Sequence, residues 1–560
     1  MTQRLVVDLS GACLSVEGFS ALGSILGTMK RMIYLTLTIE PRSPDSLRAV
    51  VVPLGSLPCL AQLFLCLPGA DHTTLTLNLN SFLTEGTLAV ASLLWKMTHL
   101  RTLKLRGVPG MGLEELAEGM AQVLDLEALD LDFIPETEIS RWNAKELALA
   151  LAKLDQILCL ALTFRDAVFA PGCVAELLEG IRIAVQLEDL QLHFRDGQFG
   201  NLDDEVVAAV SQTVSQLPKL CRLTLSFWQM GQDGAAALTA SVAELRPLQE
   251  LTLNLPACGE LDDAHFLHLA QAIAKHHSLT RLSLFLGLCN RMSDSGLRKF
   301  GNSLGDLSKL AAVDMNLRRC GRVSDAAFRD LILGFLKFPF LSALTVNFYE
   351  CDKLGEKVPV ALQALGPKLA TLSVFRLGLW SCRKVDNAVL RQWAGALGRL
   401  AGVRTLQLTV AGSKGVSNPG VKELGAALAK LTTVEELRCS FYNLAGLSDG
   451  GAEAVTLALG ELTQLHTLTM DFGHCTGVGD GTLKGLTSSL VKLRLLRKLT
   501  LDFLSCARVG DDGARALAAV LQGKKLEKLD VNLQDTDVRS RTRRVSLAEL
   551  DAFQRSYIAM

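Results

Sequence analysis

From Leu251 onward an alternating apolar run returns every 31 residues. It reads LTLNL at Leu251, LSLFL at Leu282, VDMNL at Val313, LTVNF at Leu344, FRLGL at Phe375, LQLTV at Leu406, LRCSF at Leu437, LTMDF at Leu468 and LTLDF at Leu499. Alternation of period two marks a β-strand whose first, third and fifth side chains share one face. A fixed period of this length implies a stack of like units, none of which can bury its apolar face alone.

Each run leads into a second pattern. Ten residues after the strand start stands an apolar residue, as at Met292 or Val323, and two further on comes Asp263, Asp294, Asp325, Glu356, Asn387, Asn418, Asp449, Asp480 or Asp511. Short acids and amides there suit a helix N-cap. Apolar residues then fall three and four apart, as in Leu297, Phe300, Leu304 and Leu307, which is one face of an amphipathic helix. Each unit is therefore strand, turn, helix. Weaker copies lie upstream at Leu223, Leu190, Leu160, Leu129, Leu103 and Leu75, and Leu35 and Leu5 extend the series. Between residues 36 and 75 two registers stay open. Either LTLNL at Leu75 is the strand, or LFLCL at Leu63 is, with 75–79 an inserted hairpin.

The expected fold is α/β: a solenoid with a parallel inner sheet and outer helices, about 17–19 repeats long, whose strands at about 4.8 Å spacing would line an inner arc of roughly 85 Å. Four regions follow. Residues 1–100 hold irregular N-terminal repeats and a cap, 101–250 repeats of variable length, 251–533 the regular repeats, and 534–560 a basic C-terminal cap containing RSRTRR.

The totals exclude several classes. With 57 basic and 58 acidic residues, nothing advertises nucleic acid or an anionic membrane surface. No basic n-region precedes an apolar core at the N-terminus, and no apolar run approaches the roughly 18 residues that span a bilayer. The 14 cysteines include no C-x-x-C pair, which suits reduced thiols in the cytoplasm, with the nucleus as the alternative.

Seven cysteines fall on the ruler, each seven residues after a strand start: Cys258, Cys289, Cys320, Cys351, Cys382, Cys475 and Cys506. Ser413 and Leu444 occupy the two remaining rungs. Ligands in single file do not converge on a metal, so the ladder reads as structural, a buried small side chain with a weak S–H donor. His265 and His268 share a helix face but no third ligand accompanies them. No phosphate-binding loop, nucleophile elbow or H-E-x-x-H is present. We expect no enzyme activity, no cofactor and no metal.

These residues resemble the leucine-rich repeat family over nearly the whole chain, and the long helix-bearing unit looks like its ribonuclease-inhibitor-like class. The segments CNRMSDSGLRKF from Cys289, CGRVSDAAFRDL from Cys320, CTGVGDGTLKGL from Cys475 and CARVGDDGARAL from Cys506 are similar to the cysteine-containing repeats of F-box ubiquitin-ligase receptors. Here the strand carries an extra alternating pair before the cysteine, and repeats begin near Leu5 where an F-box would stand. The resemblance implies a horseshoe or arc that binds a protein on its concave face.

Function is therefore expected on the outward side chains, the second, fourth and sixth of each strand. The chain has five Trp and four Tyr, and Trp228, Tyr349, Trp380 and Tyr442 all fall in the sixth column, with Arg318 beside them. Arg376 and Arg438 stand in the second column; Asp471 and Asp502 make the fourth acidic further on. Aromatics and arginine dominate binding hot spots, so these residues form the candidate partner surface of a non-enzymatic interaction scaffold, alone or within a larger assembly. The alternatives are a substrate receptor of a ubiquitin-ligase complex and a regulator of a small GTPase. Arg543-Arg544-x-Ser546 resembles a basophilic kinase site, making Ser546 a candidate phosphosite. The same Ser546 with Glu549 also reads as a capping box opening a short helix, whose N-terminus would welcome a phosphate.

Overall fold

A computed structural model describes residues 4–8, 16–27, 34–38, 62–66, 77–78, 83–95, 100–195, 204–246, 248–305, 307–538 and 544–546. The chain divides into two compact units, Met1–Glu260 and Leu261–Met560. The first contains strands β1 Arg4–Asp8, β2 Tyr34–Thr38, β3 Gln62–Cys66, β4 Leu77–Asn78, β5 Thr102–Val108, β6 Ala128–Phe133, β7 Glu138–Ile139, β8 Cys159–Arg165, β9 Val168–Phe169, β10 Asp189–Arg195, β11 Arg222–Phe227 and β12 Glu250–Asn254. The second contains β13 Arg281–Phe285, β14 Ala312–Asn316, β15 Ala343–Asn347, β16 Val374–Gly378, β17 Thr405–Thr409, β18 Glu436–Ser440, β19 Thr467–Asp471, β20 Lys498–Asp502, β21 Lys528–Asn532 and β22 Arg544–Ser546.

Strand pairing follows the ruler. In the second unit β13 to β21 run parallel, with Leu282 opposite Val313, Leu344 opposite Phe375, Leu437 opposite Leu468 and Leu499 opposite Leu529. In the first unit Leu5, Leu35 and Leu63 are in register, as are Leu129, Leu160, Leu190, Leu223 and Leu251. Helices form the second layer, packed helix on helix between successive repeats. This is the α/β repeat architecture expected from the sequence, parallel strands in one layer and helices in the other. No helix among the described residues is long and apolar enough to cross a membrane.

The open question between residues 36 and 75 resolves in favour of LFLCL. Leu63 pairs with Leu35, so β3 carries the repeat register. Of the later run the structure describes Leu77–Asn78. Leu77 and Asn78 pair in parallel with Leu105 and Arg106 of β5, whose first residue also meets β3. Two short strands thus share one neighbour.

The core lies between the layers. Leu282, Leu284 and Leu286 are fully buried, as are Leu344 and Phe348, so the first, third and fifth positions face the helices. At the fifth position phenylalanines stack from repeat to repeat. Phe441, Phe472 and Phe503 stand 5.5 Å apart in one spine. Phe133, Phe164, Phe194 and Phe227 form another, at 4.8, 5.4 and 5.8 Å. Removing one buried ring costs about 3–5 kcal/mol.

The helix starts correct one expectation. Glu356 is the N-cap of its helix as expected, though its side chain makes no cap bond, but in the other repeats the N-cap is the residue before the recurrent acid or amide: Asp262, Ser293 and Asp386 cap their own helices by accepting two first-turn N–H bonds each. The recurrent Asp or Asn serves the next repeat instead. Asp263 accepts the Ser293 N–H at 2.8 Å, Asn387 that of Ser417 at 2.9 Å, Asn418 that of Ser448 at 2.9 Å and Asp480 that of Gly510 at 2.8 Å. This ladder ties repeat to repeat by charge-assisted or amide bonds. It also explains the glycine of Asp294-Ser295-Gly296. A Cβ on Gly296 would lie 2.0 Å from Asp263 Oδ1, and one on Gly513 2.5 Å from Asp480 Oδ1.

The C-terminal end differs from a simple helical cap. β22 pairs antiparallel with β21, Val545 opposite Val531, and covers an edge that would otherwise stay unpaired. The rest of the RSRTRR run, and the segment after Ser546 where the capping box would act, lie outside the described residues.

Candidate functional site

The turn that follows each strand positions every candidate side chain. One residue after the sixth column the backbone turns left-handed: φ is 65° at Leu288, 56° at Arg319, 58° at Glu350, 54° at Ser381, 55° at Asn443 and 60° at His474, and Gly412 fills the same place at 65°. The N–H of this residue donates to the sixth-column carbonyl of the next repeat, Glu350 to Trp380 at 2.8 Å and Ser381 to Ala411 at 2.8 Å. The stack closes these bonds, which offsets the cost of an unfavourable φ.

The ladder cysteines come next. Cys351, Cys382, Cys475 and Cys506 each donate Sγ–H to the fifth-position carbonyl of the preceding repeat, Leu317, Phe348, Phe441 and Phe472, at 2.9–3.1 Å. Cys320 does so to Leu286 at 3.4 Å, and Ser413 makes the same bond with its hydroxyl at 3.1 Å. Burial pushes the Cys258, Cys320, Cys382 and Cys506 thiols up to about 12 and raises Cys351 as well. A thiol held protonated is a poor nucleophile and metal ligand. Helix residue His265 is engaged too, its Nδ1 lying 2.8 Å from Asp262.

On the open face of the second unit the structure brings three of the expected residues together. The rings of Tyr349 and Trp380 meet edge to face, centroids 5.8 Å apart at 65°. Trp380 reaches past Ala411 to Tyr442, at 6.3 Å and 58°. Small residues make this possible. A Cβ on Gly378 would lie 2.3 Å from Tyr349 Cε1, one on Gly412 2.9 Å from Trp380 Nε1, and one on Gly473 3.1 Å from Tyr442 Cδ2. Trp380 remains 45% exposed, while both tyrosines are half-buried.

His474 extends the row, 5.0 Å from Tyr442. Sequence columns could not find it, because it occupies the left-handed position rather than the sixth. The arginines take different roles. Arg318 donates to Glu350 at 2.8 Å, where Arg319 also binds, and Arg438 pairs with Glu436 at 2.7 Å. Partial burial would raise the Glu350 carboxyl, but the Arg319 and Arg318 guanidiniums hold it below its usual range. Arg376 is half-buried near Asp314, whose carboxyl is raised by burial and drawn back by Arg376 and Arg281. Trp228 belongs to the first unit, half-buried just after β11.

The acidic fourth column is committed locally. Asp471 accepts the Gly473 N–H at 2.9 Å and the Ser440 hydroxyl at 2.7 Å; Asp502 accepts the Leu504 N–H at 2.8 Å. These are Asx turns that shape the strand end. Ser546 sits in β22 directly opposite Asp530.

No family model matches this chain, and no curated protein does. Solved structures that this chain matches include the Rad7 and Elc1 complex in yeast, 17% identical over 73% of this chain and 86% of that one, with a TM-score of 0.42. The mouse RP105/MD-1 complex is 13% identical over 97% of this chain and 92% of that one, with a TM-score of 0.35.

Proposed function

We propose that this chain is a non-enzymatic interaction scaffold that holds a protein partner on the open face of its second unit. The row Tyr349, Trp380 and Tyr442 carries the reading. Three large aromatics, one of them 45% exposed, stand at the positions that face away from the core. Clustered aromatics supply contact area at low entropic cost, which makes them binding anchors. Arg376 and Arg438, four residues before Trp380 and Tyr442 on the strands of the same repeats, would add polar contacts further along the face. Arg318 is held by Glu350 and acts at the rim, and Trp228 would serve a contact on the first unit.

The ribonuclease-inhibitor-like class with cysteine-containing repeats is the subtype this reading adopts. Thiols kept protonated and buried suit a reducing compartment, the cytoplasm or nucleus. The test is affinity purification with wild type and with Tyr349→Ala/Trp380→Ala. Loss of specific partners in the double variant, with unfolding unchanged, supports the reading. Recovery of the same partners in the same amounts removes this surface.

A further inference from the structure

The turns that lead from strand to helix in the second unit carry a band of positive charge. The five from 287–292 to 411–416 hold eight basic residues and two acidic ones, in a chain with 57 basic and 58 acidic residues in all. From it we infer that the protein partner docks an acidic segment along this band; the inference rests on the reading of the chain as a scaffold for a protein and names that partner's chemistry.

Repeat geometry makes the band. Strands in register set equivalent turn residues side by side, about 4.8 Å apart at the sheet. Arg291, Arg322, Lys353 and Lys384 recur at the 31-residue step, Lys414 stands one residue short of it, and all are exposed. Like charges held side by side repel, and a partner's carboxylates would relieve that repulsion. The band ends abruptly: the next two turns, 442–447 and 473–478, hold no Lys, Arg, Asp or Glu. Local acids answer only part of it. Glu350 holds Arg318 and Arg319, and Asp352 holds Arg383 at 3.4 Å. Lys353 donates to the Arg322 carbonyl at 3.1 Å, while Arg322, Lys384 and Lys414 make no ion pair among the described residues.

Midway along the band a cavity of about 580 Å³ opens, with Lys353, Lys357, Arg383 and Lys384 in its wall. It lies where the inter-repeat ladder slips. Asp294 accepts the N–H of Ser324, thirty residues on, but Asp325 accepts that of Lys357, thirty-two on, at 2.8 Å. The helix Lys357–Ala364 accordingly starts one residue later in its repeat than its neighbours. Two carboxylates of the wall are committed, Asp325 to Lys357 and Asp386 to the Ala388 and Val389 N–H groups at 2.9 Å. Glu356, exposed and without a cap bond, is the third. Because Glu350, Asp352 and Glu356 interrupt the cations, a nucleic-acid strand, charged at every nucleotide, would meet them. A polypeptide can instead set carboxylates opposite Arg322, Lys384 and Lys414 and neutral residues opposite the acids. Tyr349 and Trp380, which open two of the same turns, supply apolar contact beside the charge.

The test is fluorescence anisotropy of a labelled, alternating Glu-Gly decapeptide with the full chain at about 50 mM salt, where screening is weak. The peptide is expected to bind and to weaken as salt rises, with the matching Gln-Gly and Lys-Gly peptides at least about tenfold weaker. Lys384→Glu/Lys414→Glu should weaken it by about tenfold or more. Lys337→Glu/Lys430→Glu makes the same change in net charge at exposed residues just past the C-terminal ends of two helices, and should alter affinity by less than about twofold. Lys384→Gln/Lys414→Gln should act in the same direction as the glutamate pair and serves if that pair does not fold. No binding of the Glu-Gly peptide, or equal loss in the two charge-matched variants, overturns the inference. Tighter binding of a thymidine decanucleotide through Lys384 and Lys414 overturns it in favour of nucleic acid. If purified partners depend on Trp380 but not on Lys384 and Lys414, the scaffold reading stands and the acidic segment falls. If they depend on neither, both fall.

Discussion

Replacing Asp449 by alanine tests how the repeats are joined. One oxygen of Asp449, Oδ1, accepts three bonds from the following repeat: the Gly479 N–H at 2.7 Å, the Thr482 N–H at 3.0 Å and the Thr482 hydroxyl at 2.6 Å. Gly479 and Thr482 are both buried. Alanine strands these donors. A buried unsatisfied group costs about 1–3 kcal/mol; water can reach part of the gap and the Thr482 hydroxyl can rotate, so a net loss of about 3 kcal/mol is expected. Asparagine keeps an oxygen at the same place, as Asn387 and Asn418 do in their own repeats. Asp449→Asn should therefore cost less than about 1 kcal/mol. Equilibrium urea unfolding measures both, and a Thr482→Val cycle isolates the coupling. Equal midpoints for the alanine and asparagine variants would refute the inter-repeat ladder as a source of stability.

Other outcomes follow from the same geometry. Ser381→Gly relieves a left-handed φ of 54° and should stabilise by about 1 kcal/mol in thermal unfolding, whereas Gly412→Ala should destabilise by at least as much and disturb Trp380. Under native alkylation read by mass spectrometry, half-buried Cys159 and Cys221 should modify before Cys382 or Cys506, and the reverse order would contradict the thiol ladder. Burial would raise the Asp294 carboxyl, but bonds from the Ser324 hydroxyl and N–H, with Arg298 nearby, carry it below its ordinary value. A lowered folded-state pKa gives stability that is present above the unfolded value of about 3.9 and lost as pH falls through the folded one, so Asp294→Asn should flatten the acid limb of a stability–pH curve. Ser546→Glu, mimicking a phosphate, would place like charge opposite Asp530 and should speed exchange of β22 amides, where a helix-terminal site would have predicted protection.

Much of this architecture is legible in the chain because its period is strict. Side-chain alternation and a constant step fix both the register and the buried face, and Leu282 to Leu499 stand where the ruler puts them. What the ruler could not carry is cross-repeat chemistry. Asp263 and Asp294 look like caps of their own helices, since nothing local reveals that their carboxylates reach the next repeat. Asp471 and Asp502 look like a free acidic surface until their bonds to Gly473 and Leu504 are seen. The aromatic column was visible in sequence, but its closure past Ala411 and its extension to His474 depend on how far side chains lean. The segment near Leu63 and Leu75 stayed ambiguous because two apolar runs compete for one neighbour, and only pairing decides between them.

Hydrogen–deuterium exchange of the chain with a purified partner tests the central claim most directly. Binding on the aromatic row should slow exchange in 343–351, 374–382 and 436–444, the strands and turns that carry Tyr349, Trp380 and Tyr442, while the helices behind them exchange as before. Protection confined to those helices, with the three strand-turn segments unchanged, would contradict it.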